Sequence, residues 1–365
     1  MLLKRKRRTL CARLSHGCGA SLWAMALAAI LASSTQAQFE DTLGRWEQPP
    51  GGFAWPLEAM HAVHLSTGNI LVWKKPVCDP FDNPRLWNPA DGLFTEVELA
   101  EGMLTVDCAG HAALADGSIL VVGGGCGPAN AHPQTAIFQR TPTPWTTESN
   151  MYWNRWYPTC TTLGDGRILT VAGSDIVQNP PPYNIVVIPE VYDPTTKTWQ
   201  ERPTAERELA IYAFMFLVPD GTVFYAGPGI QTAVLDTQIW TWFDVSNSWP
   251  LIGTFGSAVM FEPGWVLKAG GSSQPHPDSP ENLTAWIDLN DPSETGGEWL
   301  FVPSMVHERR NHNLVVLPDG KILAVGGENN CTPQPCDPCS CDSVLPAERC
   351  STRMRQSQCG RPWPR

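Results

Sequence analysis

The sequence predicts an all-β protein, a β-propeller whose blades recur about every 50 residues. Three observations carry this. One hairpin pattern recurs six times, the recurrence is too long for a hairpin alone, and Gly (31) and Pro (34) are abundant between short apolar runs.

The six segments are HAVHLSTGNILVW (61–73), GHAALADGSILVVGGG (110–125), YPTCTTLGDGRILTVAGS (157–174), IYAFMFLVPDGTVFYAGPG (211–229), FGSAVMFEPGWVLKAGGS (255–272) and RNHNLVVLPDGKILAVGGE (310–328). Each has an apolar strand, a Gly-containing turn and a second apolar strand, usually followed by a Gly pair. Asp-Gly or a relative between two apolar runs is a strong short-range hairpin signal. The turn glycines Gly68, Gly117, Gly166, Gly221, Gly264 and Gly320 are 49, 49, 55, 43 and 56 residues apart. That spacing leaves room for two outer strands per blade, as in VYDPTTKTWQ (191–200) and RLWNPADGLFTEV (85–97), each with an aromatic near its end. A period near 50 with a Gly pair after the second strand is the kelch pattern. The long apolar runs fit inner strands buried on both faces. Six blades are recognisable over 38–330, and Gly44–Pro49 reads as a last outer strand that closes the ring, since an open edge is a liability.

Both ends differ from the repeats. Residues 1–37 read as a signal peptide, with Lys4–Arg8 as the basic region, an apolar stretch over Leu22–Leu31 and a small-residue cleavage site at Thr35-Gln36-Ala37. The stretch is short of the ~20 apolar residues a span needs. The expected location is therefore secreted or periplasmic, with no membrane contact beyond the signal. Removing those 37 residues takes the formal net charge from −11 to −17, an acidity that argues against nucleic acid as a partner. Residues 331–365 hold six of the twelve Cys, six Pro and five Arg, and read as a disordered, non-propeller tail. Its Cys336-Asp-Pro-Cys339 is a weak metal signal, and disulfides suit an exported chain better.

Two blade entrances carry residues the repeat does not need. VDCAGHAALADG (106–117) places Cys108 before the second blade, and NRWYPTCTTLGDG (154–166) places Tyr157 at the equivalent point of the third. Inner strands of neighbouring blades run side by side, so Cys108 and Tyr157 are expected near one another at the channel mouth. Burial alone also accounts for a Cys and a Tyr in such places.

CAGH before an ADG hairpin, then RWYPT before a GDG hairpin one blade later, resembles the copper-radical oxidases, galactose oxidase and glyoxal oxidase, over residues 44–330. The resemblance implies a seven-bladed kelch propeller followed by a small β-domain. It implies a thioether between Cys108 and Tyr157, with Tyr157 a copper ligand and radical site, and Trp153 or Trp156 as its shield. It further implies a monomer that oxidises a primary alcohol, an aldehyde or a carbohydrate with dioxygen, giving hydrogen peroxide.

The family's axial Tyr-His pair lies on the seventh blade, and a further His ligand lies in the β-domain. Asn311-His312 falls on the sixth repeat, so His312 reads as an entrance histidine, and His61, His64 and His111 as packing residues. With those ligands missing, the expectation is a truncated chain with impaired oxidase function and an incomplete set of copper ligands, copper binding itself left open. The alternative is a non-catalytic kelch propeller that binds a glycan or a protein. No P-loop, GxGxxG-bearing βαβ unit, HExxH or GxSxG occurs.

Overall fold

The computed structural model describes residues 55–329, apart from 58, 74–82, 140–143, 176–184, 249–254, 273–279 and 291–296. The expected signal peptide, the Gly44–Pro49 strand and the 331–365 tail lie outside the described residues. All described residues belong to the compact unit that begins at Pro49.

Five repeats form antiparallel four-stranded blades whose strands pair in chain order. Blade 1 comprises β1 (His61–His64), β2 (Ile70–Trp73), β3 (Arg85–Trp87) and β4 (Phe94–Glu96). Blade 2 comprises β5 (Gly110–Ala113), β6 (Ile119–Val122), β7 (Thr135–Phe138) and β8 (Trp145–Thr147). Blade 3 comprises β9 (Trp156–Thr162), β10 (Ile168–Ser174), β11 (Glu190–Asp193) and β12 (Thr198–Glu201). Blade 4 comprises β13 (Phe214–Leu217), β14 (Val223–Gly227), β15 (Thr232–Asp236) and β16 (Thr241–Val245). Blade 5 comprises β17 (Ser257–Glu262), β18 (Trp265–Ala269), β19 (Thr284–Asp288) and β20 (Leu300–Val302). The sixth repeat is a two-stranded sheet among the described residues, β21 (Arg310–Val316) with β22 (Ile322–Glu328). The only helical pieces among the described residues are two 3-10 turns, Pro128–Asn130 and Pro203–Ala205.

The repeated hairpin has one cause throughout. In blade 2, Leu114 N–H donates to Ser118 O and Gly117 N–H to Leu114 O, both at 2.9 Å. A three-residue connection of this kind needs a left-handed last residue. All six turn glycines have it, with φ from +76° to +88°. The preceding Asp116 carboxylate accepts the Ser118 N–H at 2.9 Å, and Asp165, Asp220 and Asp319 do the same two residues on.

The apolar interior is a series of cores between neighbouring blades. Leu71 and Trp73 of blade 1 pack with Ile119, Val121 and Phe138 of blade 2. Leu120 and Ile137 pack with Ile168 and Tyr192 of blade 3. Val171 and Val191 pack with Val223 and Leu235 of blade 4. Second strands serve two cores at once, so β6, β10 and β14 are buried along their whole length. The outer aromatics join blades by hydrogen bonds as well. Trp199 Nε1 of blade 3 donates to Thr135 Oγ1 (3.0 Å) and Ser149 O (2.9 Å), both reached from blade 2. First strands pack side by side, β5 on β9, β9 on β13 and β17 on β21, which brings the blade entrances together. No helix among the described residues is long and apolar enough to cross a membrane.

Candidate active site at the blade entrances

Nine residues before each turn glycine from the second repeat on stand Cys108, Tyr157, Tyr212, Phe255 and Asn311. All five adopt the left-handed conformation, with φ of 55°, 63°, 49°, 65° and 55°. That region costs a side-chain-bearing residue roughly 1–2 kcal/mol. The return is a hydrogen bond to the neighbouring blade. Tyr157 N–H donates to Cys108 O at 3.0 Å, Tyr212 N–H to Tyr157 O at 3.0 Å and Asn311 N–H to Phe255 O at 2.8 Å. Backbone contacts thus link Cys108, Tyr157 and Tyr212 in one run and Phe255 and Asn311 in another.

The side chains at this point converge. Cys108 is 4% exposed, and its thiol lies close enough to the Tyr157 phenol to perturb that group's titration. Burial, then the Cys108 contact, pushes the Tyr157 phenol above the ordinary tyrosine range. Trp156 stacks on the Tyr157 ring with centroids 3.8 Å apart and planes at 18°. Tyr212 stacks on it too, at 4.5 Å and 27°. Two near-parallel rings so close to one phenol must lie on opposite faces, so Tyr157 is sandwiched. Trp153 points elsewhere, its Nε1 donating to Glu201 Oε1 at 2.7 Å. Of the two tryptophans the sequence offered, Trp156 is the one in stacking contact.

Tyr212 extends the cluster. Its hydroxyl lies 3.3 Å from His61 Nε2. His61 stacks on Trp73 (4.8 Å, 10°) and meets His111 edge-on at 5.6 Å. Burial, then the neighbouring His111, lowers the His61 pKa to about 3, and burial lowers His111 to about 4. Both are neutral imidazoles packed among aromatics. His312 on β21 is also buried, its pKa lowered to about 4 by burial and Arg309, and neither ring nitrogen has a hydrogen-bond partner among the described residues. Among the described residues no three His, Cys, Asp or Glu side chains cluster as a metal site. Tyr212 carries no local motif, and only its distance from Gly221 marks its position in the sequence.

Comparison with known proteins gives the same direction. The chain is 26% identical to the galactose oxidase of Gibberella zeae over 330 residues, 80% of this chain and 45% of that protein. The chain is thus similar to a galactose oxidase over most of its length. A WSC domain-containing protein of Arthroderma benhamiae is 26% identical over 193 residues, 47% of this chain and 20% of that protein. The galactose oxidase-like chain also shares its fold with a solved structure described as a novel fungal alcohol oxidase of the AA5 family in complex with copper. The TM-score is 0.60 at 23% identity, over 74% of this chain and 59% of that one. No family model matches the chain. The galactose oxidase-like chain spans less than half the length of the galactose oxidase it matches, 45%.

Proposed function

We propose that the chain carries part of a copper-radical oxidase site, with Cys108 and Tyr157 as its cofactor pair. The observation that carries this is a Tyr157 ring stacked on both faces, its backbone N–H bonded to Cys108 O and its phenol perturbed by the Cys108 thiol. Joining that sulfur to the ring removes the thiol hydrogen and one ring hydrogen, and dioxygen that takes both becomes hydrogen peroxide. An electron-rich, thioether-substituted phenol between two aromatic rings spreads an unpaired electron over a larger π-system. The reaction proposed is oxidation of a primary alcohol to an aldehyde, two hydrogens passing to dioxygen to give hydrogen peroxide. Small alcohols, aldehydes and carbohydrates are the substrate class, and a secreted or periplasmic monomer with seven blades in the intact protein is the setting.

The described residues do not fit a complete copper site. Tyr157 offers one oxygen, His61 Nε2 is engaged by Tyr212, and no cluster of donors accompanies them. A stable copper site needs several convergent ligands, and we propose that oxidase function is impaired in this chain. That same deficit favours a second reading, a non-catalytic propeller that binds a glycan or a protein.

A peroxide assay with copper, air and a panel of primary alcohols and aldehydes tests the proposal. Slow peroxide formation that is lost in Tyr157→Phe and in Cys108→Ser supports it. Equal peroxide from Tyr157→Phe removes it and leaves the binding reading.

A further inference from the structure

Two residues before Tyr157 lies Arg155, 0% exposed, with every guanidinium nitrogen engaged. Its Nε and Nη2 donate to Glu190 Oε1 at 3.2 and 2.9 Å. Nη1 donates to Ala172 O at 2.5 Å and Nη2 also to Ile188 O at 2.6 Å. Glu190, on β11, is equally buried and does more than balance the charge. Its Oε2 accepts Tyr152 N–H at 2.6 Å, and its Oε1 accepts Trp153 N–H at 3.3 Å. The carboxylate therefore grips the chain at 152, 153 and 155, immediately before the stacked Trp156–Tyr157 pair.

The Arg155 backbone is fixed from the other side by blade 2. Its N–H donates to His132 O at 3.3 Å and its C=O accepts Gly124 N–H at 2.8 Å. Two glycines leave room for Arg155, Gly123 of blade 2 and Gly173 of its own blade. A Cβ on Gly123 would lie 2.5 Å from Arg155 O, and one on Gly173 would lie 2.9 Å from Arg155 Cβ. A residue held left-handed, as Tyr157 is, persists only where its surroundings over-determine it. At Tyr157 itself the backbone is held by its bonds to Cys108 O and from Tyr212 N–H. The segment before it supplies the rest.

We infer that Arg155 and Glu190 are a positioning pair, which fixes residues 152–155 so that Tyr157 is delivered left-handed against Cys108. The geometry stands by itself, and its chemical purpose rests on the oxidase reading. Glu190 is 33 residues beyond Tyr157 in the chain, on the third strand of the same blade, so the pair ties the entrance to the outer part of its own sheet. Arg309 has the same place in the sixth repeat, two residues before Asn311. It too is 0% exposed, with Nη1 donating to Gly326 O at 2.7 Å, as Arg155 donates to Ala172 O. The arginine is thus a device the fold uses more than once, and on the Tyr157 blade Glu190 adds its hold on Tyr152 and Trp153.

The test compares Glu190→Gln and Arg155→Lys with Leu169→Ala, a core change in β10 of the same blade. All are measured below their unfolding temperatures. Amide exchange is followed at Tyr157, whose N–H bonds to Cys108, and along β10. We expect the two pair variants to speed exchange at Tyr157 about tenfold more than along β10, with a weakened near-ultraviolet circular dichroism signal from the Trp156–Tyr157 stack. Leu169→Ala raises exchange across the blade without that selectivity. Thioether formation under copper and air is expected to slow about tenfold in Glu190→Gln and to stay near wild type in Leu169→Ala. Arg155→Lys decides the matter if Glu190→Gln does not fold. Exchange at Tyr157 that rises no more than along β10 overturns the positioning role. A wild-type protein that never forms the thioether counts against the oxidase reading, and the exchange comparison then still decides the positioning pair.

Discussion

At the residue scale, Tyr157 is unusual for the number of groups that hold it: Trp156 and Tyr212 on its two faces and Cys108 O at its backbone N–H. Tyr212→Phe keeps the stack and removes the contact with His61 Nε2, and is expected to cost about 1 kcal/mol in urea denaturation. Tyr212→Leu loses the ring as well, and with it a further ~1 kcal/mol of aromatic pairing. A second buried group makes stability depend on pH. Lys268 is 0% exposed, with Nζ donating to Gly229 O and to Ser248 Oγ, and burial lowers its pKa from 10.5 to about 7. Between those values the unfolded chain holds the proton and the folded chain releases it, so this residue makes stability rise with pH across the window. Lys268→Met is expected to be more stable than wild type near the lower end, and the gap is expected to close toward the upper end. A gap that does not narrow between the two ends contradicts the assignment. Much of this scale was hidden in the sequence. Cys108 and Tyr157 stood out through CAGH and RWYPT, but Glu190 reaches Arg155 from 35 residues away and Tyr212 has no distinguishing neighbours. Such pairings are set by which strands pack, which no local motif records.

At the element scale, the hairpin and the blade-to-blade joint account for most of the architecture. The hairpin was legible, because a turn that requires a left-handed residue nearly dictates glycine, and six appeared at regular spacing. Gly166 isolates that requirement, with φ +86° and no atom within 4 Å of the point a Cβ would occupy. Gly166→Ala is expected to cost about 1 kcal/mol through backbone strain alone, measured as a lowered thermal midpoint. The joint was only half legible. The sequence showed an aromatic near the end of each outer stretch, but not what it did. Trp199 shows the purpose, since its indole N–H reaches Thr135 and Ser149 across the blade boundary. Trp199→Phe keeps most of the packing, strands those acceptors, and is expected to cost about 1–3 kcal/mol in denaturant unfolding. The left-handed entrance residues were not legible at all, since Cys, Tyr, Phe and Asn share no propensity for that region. The neighbouring blade imposes it.

At the scale of the whole molecule, the period near 50 residues foretold a propeller, and five four-stranded blades with a sixth hairpin are what the described residues form. The chain is 26% identical to a galactose oxidase over 80% of its length, and spans 45% of that relative. The described residues bring a Cys, a Tyr and two stacking rings together, and among them no three His, Cys, Asp or Glu side chains cluster as a metal site. Forming the covalent pair and turning over substrate are therefore separate abilities, and the central proposal concerns the first. Peptide mapping by mass spectrometry after exposure to copper and air addresses that claim most directly. The account predicts that the peptides bearing Cys108 and Tyr157 are recovered as one species, lighter by two hydrogens than their sum, and that Cys108→Ser abolishes it. Recovery of both peptides separate and unmodified, from folded and copper-treated protein, would contradict it.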